Sequence, residues 1–139
     1  MKLIPSTRQT IIVVSTFIEK RGKYLLIFDP RFKVWRVPGG RLKPGEKIKT
    51  ALLRELKEEL GVEFKVEKFL GYGEDIGIFR NQRRTRIILY FKCKLIKGEP
   101  KIKSPREISK MAWLNLKAIK KDRNLEPAMK KFFSGFRFD

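Results

Sequence analysis

Short apolar runs alternate with polar turns along most of the chain, and one longer segment follows a helical period. Residues 9–19, QTIIVVSTFIE, are rich in β-branched side chains and predict a buried strand. KRGK at 20–23 reads as a turn, so YLLIFD at 24–29 predicts the second strand of a hairpin. Asp29-Pro30 marks another turn, and residues 34–37 predict a short strand ending at Pro38-Gly39-Gly40. Residues 46–60 predict a helix: they are good helix formers without an internal Gly or Pro, and Gly61 follows where a left-handed cap fits. Further strands are expected at 63–72, 86–95 and 110–116, with a turn at Gly98-Glu99-Pro100 and short helices in the tail, one at 126–133. Strands on both sides of one long helix predict a single mixed α/β or α+β sheet domain over residues 1–139.

On a wheel advancing about 100° per residue, Glu55, Glu58 and Glu59 share an arc of about 100°. Leu52, Leu56, Leu60 and Leu53 fall beside that arc, so a leucine face can bury while the carboxylates border it. Arg54 lies next to Glu58 at i+4, where an ion pair can form. Like charges gathered this way repel, and a divalent cation would turn the repulsion into coordination.

Composition sharpens the chemistry. The chain has 139 residues, 34 Lys+Arg against 15 Asp+Glu, a net charge of +19 and no histidine. Histidine-based triads and imidazole zinc sites are therefore excluded. Cys93 is the only cysteine, which excludes internal disulfides and thiolate clusters; in FKCKL it reads as core packing. Carboxylate oxygens remain, and they suit hard cations such as Mg²⁺ or Mn²⁺. The positive charge favours anionic partners (phosphates, nucleotides, RNA or acidic membranes) or serves as a solubilising surface; RNQRRTR at 80–86 is its densest run. No apolar run approaches the ~20 residues of a membrane span, and no signal-peptide cleavage pattern is present, so a cytoplasmic location is expected.

The loop before the helix adds specificity. Gly39 and Gly40 permit close backbone approaches, Pro44-Gly45 turns the chain, and Glu46 complements the start of the helix. From Gly40 through Glu46, Arg54-Glu55-Leu56 and Glu58-Glu59 to Gly61-Val62, the chain resembles the Nudix hydrolases at all nine defined positions of their motif. Trp35-Arg36-Val37-Pro38-Gly39 resembles the usual approach to that motif.

The resemblance implies an α/β/α sandwich with a mixed sheet, the motif forming loop–helix–loop. It implies Mg²⁺- or Mn²⁺-dependent hydrolysis of a diphosphate linkage in a nucleoside diphosphate derivative. Glu55, Glu58 and Glu59 would hold metal with the Gly39 carbonyl, Arg54 would orient them, and Glu46 would support the cluster or bind metal through water. Without histidine, a glutamate is the natural base, from the motif or from a later loop. Glu107 is the leading loop candidate, and Glu99 and Glu74-Asp75 are weaker ones. Arg36 and Arg41, flanking the glycines, and Gly40 are candidates for phosphate contact; Phe32, Tyr72 and Phe79 are candidates for base stacking. Markers of the ADP-ribose, dinucleoside polyphosphate and coenzyme A subgroups are missing from the corresponding positions. An RNA- or nucleotide-binding module with this fold, and an RNA cap pyrophosphohydrolase, are the alternatives. A homodimer is compatible with the resemblance.

Overall fold

The structure, a computed structural model, describes residues 10–79, 82–122 and 124–135. Strands β1 (Thr10–Lys20), β2 (Lys23–Asp29), β3 (Val34–Arg36) and β4 (Gly39–Arg41) precede helix α1 (Ile48–Leu60). Strands β5 (Glu63–Phe79), β6 (Gln82–Lys97) and β7 (Lys110–Leu114) follow, then helices α2 (Leu116–Lys120) and α3 (Pro127–Gly135). The sheet runs β3-β2-β1-β6-β5, with β4 also pairing β1 and β7 pairing β2. The β1–β6 pair is parallel and the other ladders are antiparallel, so the sheet is mixed.

The side-chain alternation of β1 and β2 divides the core into two layers. Val14, Ile18, Leu25 and Ile27 face α1 and pack with Leu52, Leu56 and Leu60. Phe17 and Leu26 face the other way and pack with Tyr90, Ile119, Met129 and Phe132 under α2 and α3. The result is the expected helix–sheet–helix sandwich. Cys93 is fully buried in the first layer, its thiol pushed up to about 12 by burial. Among the described residues no helix is long and apolar enough to cross a membrane.

Several boundaries differ from expectation. The glycine pair is not a loop: it forms β4, with Ser15 opposite Gly39 and Val13 opposite Arg41. Helix α1 starts at Ile48 and has no acidic residue in its first turn. Glu46 instead accepts from the Lys43 N–H (3.1 Å) across the Pro44-Gly45 turn. Gly61 closes the helix at φ 68° as expected, donating to the carbonyls of Leu56 and Lys57. Leu53, predicted on the buried face, is 43% exposed, because the helix lies on its Leu52–Leu56–Leu60 stripe. Strands β5 and β6 extend far beyond 63–72 and 86–95, because polar positions pair across the hairpin, Asp75 opposite Arg86 and Gly77 opposite Arg84.

Helix α3 crosses β5 at Gly73, where a Cβ would overlap the Ala128 carbonyl. Gly73→Ala is expected to lower stability by about 1–3 kcal/mol through this overlap, read as a reduced urea midpoint with an unchanged slope.

Candidate active site

One cavity of about 610 Å³ opens on the sheet face beside β4. Its wall includes Gly39, Gly40 and Arg41 of β4, Glu55 of α1, and Glu107 from the turn before β7. The packing of β4 against its neighbours explains the glycines. A Cβ on Gly39 would overlap the Val14 carbonyl, and one on Gly40 would overlap the Glu55 carboxylate. Close approach, rather than unusual torsion, requires them; neither has a positive φ.

Arg54 organises the glutamates. Its Nε and Nη2 donate to the two oxygens of Glu46 at 2.7 and 2.9 Å, a two-pronged pair. Its Nη1 donates to Glu55 Oε1 (2.8 Å) and Glu58 Oε2 (3.4 Å), and Nη2 also reaches the Arg41 carbonyl (3.2 Å). Hydrogen bonding to Arg54 holds the Glu46 carboxyl down at about 2. Burial raises the Glu55 carboxyl, with Arg54 opposing and the charges of Glu58 and Glu107 adding to the rise.

Glu59 is in a different setting. It is 1% exposed and accepts from the Gly39 N–H at 3.2 Å. Its Oε2 lies 3.5 Å from Arg36 Nη2 but accepts no hydrogen bond. Burial pushes its carboxyl up to about 7, against the pull of Arg36. Arg36 is itself held by Asp29 Oδ2 (3.1 Å) and by the Val37 carbonyl (3.1 Å). Burial raises the Asp29 carboxyl, but hydrogen bonds from Arg31 and the charges of Arg31 and Arg36 outweigh it, so the net shift is downward. Arg31 continues the chain of charges to Glu107, 3.6 Å away.

Not every residue picked out by sequence shares the cavity. Glu55, Gly39, Gly40, Arg36, Arg41 and Glu107 line it, as do Phe32 and Asp75. Glu58 is outside the wall, its side chain 59% exposed, and Glu59 lies buried behind β4. Glu46 supports Arg54 from outside the helix. Glu74 and Glu99 are exposed elsewhere, Tyr72 is outside the wall, and the Phe79 side chain lies outside the described residues. Residues 80 and 81 of the basic run are also outside them, while Arg84 and Arg86 line the cavity. Asp29, Arg31 and Glu126 were missed by the sequence reading. Asp29 and Glu126 each adjoin a proline, and that context read as chain reversal or helix start rather than as buried charge.

The donor set suits a hard divalent cation: several carboxylates, a buried one with an oxygen lacking a hydrogen bond, and a glycine strand alongside. As the side chains stand, no three acidic or other ligating groups among the described residues are arranged to hold a metal. Arg54 Nη1 takes the place of a positive charge between Glu55 and Glu58.

The family model of the NUDIX domain matches residues 7–136. Nucleoside triphosphatase NudI of Escherichia coli is 30% identical over 114 residues, covering 73% of this chain and 79% of that protein. CTP pyrophosphohydrolase of Escherichia coli (strain K12) is 41% identical over 64 residues, 43% of this chain and 47% of that protein. This chain thus spans about half the length of several curated relatives it matches. The crystal structure of a MutT protein from Methanosarcina mazei Go1 superposes with a TM-score of 0.76 at 24% identity, covering 90% of this chain and 91% of that one.

The opposed shifts of Glu59 and Glu46 give opposite pH dependences. Folded Glu59 keeps a proton that the unfolded chain loses near 4.5, so its contribution is complete below that pH and is lost as pH rises through about 7. Glu46 contributes above 4.5, and its share is lost as pH falls toward about 2. Denaturant titrations should show wild-type stability declining more than that of Glu59→Gln between about pH 5 and pH 8. Parallel curves would contradict the burial of an ionisable Glu59.

Proposed function

Because the chain belongs to the NUDIX domain family, we propose that it hydrolyses a diphosphate linkage in a nucleoside triphosphate or another nucleoside diphosphate derivative, with Mg²⁺ or Mn²⁺. The observation that carries this reading is Arg54 set between Glu46, Glu55 and Glu58, with Glu55 lining a cavity whose wall includes the glycine strand β4. Glu55, Glu58 and Glu59, with the Gly39 carbonyl, would hold the cation. Bound there, it neutralises phosphate charge and acidifies water. The names of the relatives, a nucleoside triphosphatase and a CTP pyrophosphohydrolase, support the substrate class.

The chain's own residues do the rest. Glu46 fixes Arg54 by two hydrogen bonds, and Arg54 sets the rotamer of Glu55. Arg36 and the Gly39 N–H hold Glu59 in place. Arg41, exposed at the cavity mouth, contacts the phosphates. Glu107 takes the proton of the attacking water: it lines the cavity, its side chain is 38% exposed, and its charge bears on both Glu55 and Glu59. The RNA alternative draws on the arginine run at 80–86. Its Arg86 is committed to Asp75 and Glu126 inside the cavity, so the run is not a uniformly outward patch.

A nucleotide panel with Mg²⁺ or Mn²⁺ is expected to show turnover that chelation abolishes. Glu58→Gln should lower kcat/KM by at least about 100-fold, or 2.7 kcal/mol in transition-state stabilisation. Its exposed side chain makes the variant a fair test without loss of fold. Equal turnover by wild type and Glu58→Gln would remove that glutamate from the reaction.

A further inference from the structure

Helix α3 covers only part of its face of the sheet. Its Phe132 and Phe133 rest on Phe17 of β1, and Phe132 also on Tyr90 of β6. Two residues further along each strand, on the same face, the side chains change from aromatic to charged. Phe17 is followed there by Glu19, and Tyr90 by Lys92 and Lys94. On β5, Lys68 stands opposite Lys92, and Lys65 opposite Lys94. Lys65, Lys68 and Lys94 are exposed, and the Lys92 side chain is partly so. From Arg86 in the cavity wall to Lys92 is about 20 Å along β6, at 3.3 Å per residue. The lysine face therefore lies apart from the candidate active site.

Like charges directly opposite one another destabilise a sheet, yet two lysine pairs meet here. A β-bulge brings this about. Val66 pairs with Cys93 and Lys68 with Lys92, which leaves Glu67 as the extra residue. In unbroken register Glu67 would stand opposite Lys92, and Lys68 would turn to the α1 layer. The acids beside the lysines are Glu19, 3.5 Å from Lys92 Nζ, and Glu67, whose charge bears on Tyr24 next to Glu19. Further basic side chains extend the face past the end of α3. Lys120 of α2 lies over the Phe133 ring at 5.7 Å. Lys117, Lys121, Lys130 and Lys131 are exposed around it on α2, its cap and α3. Among the described residues from 116 to 135 the acids are Asp122 and Glu126, and Glu126 is buried against Arg86.

Rows of ammonium groups on an uncovered pair of strands suit a chain of anions. Lysines two apart on one strand are about 6.6 Å from each other, and those across the ladder about 5 Å. A nucleic-acid backbone carries one negative charge per phosphate and sheds condensed counterions where lysines replace them. Its phosphates would also relieve the repulsion within the lysine pairs. A lipid surface fits less well, because stable binding there adds buried apolar area to the charge. The exposed aromatic side chains of β5, Phe69 and Tyr72, stand opposite Phe91 and Leu89, on the α1 side of the sheet. On the lysine side, Ile96 beyond Lys94 supplies one exposed aliphatic side chain.

We propose that the face formed by Lys65, Lys68, Lys92 and Lys94 binds the phosphodiester backbone of a nucleic acid, without reading its sequence. Fluorescence anisotropy of the full chain with a labelled single-stranded RNA of mixed sequence, across a salt series, tests it. In Lys65→Glu/Lys68→Glu each lysine pair becomes a pair of opposite charges. Affinity is expected to fall at least about tenfold, or 1.4 kcal/mol. The slope of log Kd against log salt is expected to drop by about 1.4, two contacts at ~0.7 each. The urea midpoint of the variant should hold or rise, a combination that damage to the fold would not produce. Lys49→Glu/Lys57→Glu makes the same change in net charge at exposed positions of α1. It should cost less than about threefold, because distant charges are screened. Should the β5 variant not fold, Lys94→Glu alone is expected to weaken binding in the same direction. No RNA binding by the wild type at about 0.1 M salt, or equal losses in the two double variants, would overturn the assignment. So would binding to phosphatidylserine vesicles but not to RNA. Nucleotide hydrolysis by Lys65→Glu/Lys68→Glu should match the wild type. RNA binding by this face without any nucleotide hydrolysis would overturn the catalytic reading alone.

Discussion

The site depends on a steric constraint: the backbone of β4 fills the space between β1 and α1, with no room for side chains. A methyl on Gly39 would meet the β1 backbone, and one on Gly40 would meet the Glu55 carboxylate. Only because β4 is bare can α1 approach with its acidic edge forward while its leucine stripe stays in the core. The Gly39 N–H then reaches Glu59, which ties the helix to the sheet at that point.

Burying carboxylates in this wedge has a cost, and the arginines divide it. Arg54 meets Glu46, Glu55 and Glu58 with directed hydrogen bonds, so Glu46 stays charged well below the usual range. Arg36 meets Glu59 at longer range, and desolvation prevails there. The two arginines thus leave unlike carboxylates, Glu46 in the segment before α1 and Glu59 on α1 itself. One is firmly ionised and the other is poised near neutrality, an arrangement that an incoming positive charge would stabilise. The net charge of +19 is a property of the whole surface, whereas the local balance at this helix edge is acidic.

Much of this was legible in the sequence because it rests on local periodicity. The helical spacing set Arg54 beside Glu58 at i+4, where the ion pair forms, and Gly61 stopped the helix where expected. What escaped was set by pairing across the sheet. The strand character of Gly39–Arg41 is imposed by β1, not by its own propensity. The length of the β5–β6 hairpin comes from cross-strand partners that sequence order does not reveal. Arg86 and Glu126 carry no local spacing signal; their meeting, forty residues apart, is a product of topology. Arg36, offered by its position as a phosphate ligand, sits in the wall with its guanidinium engaged by Asp29 and Glu59.

The central claim is that the α1 glutamates replace their arginine contacts with a hard divalent cation. Mn²⁺ titration followed by electron paramagnetic resonance, on the wild type and Glu55→Gln with a non-hydrolysable nucleotide present, tests it most directly. The account predicts saturable Mn²⁺ uptake by the wild type, weakened at least about tenfold in Glu55→Gln. No uptake by the wild type, or equal uptake by both proteins, would contradict it.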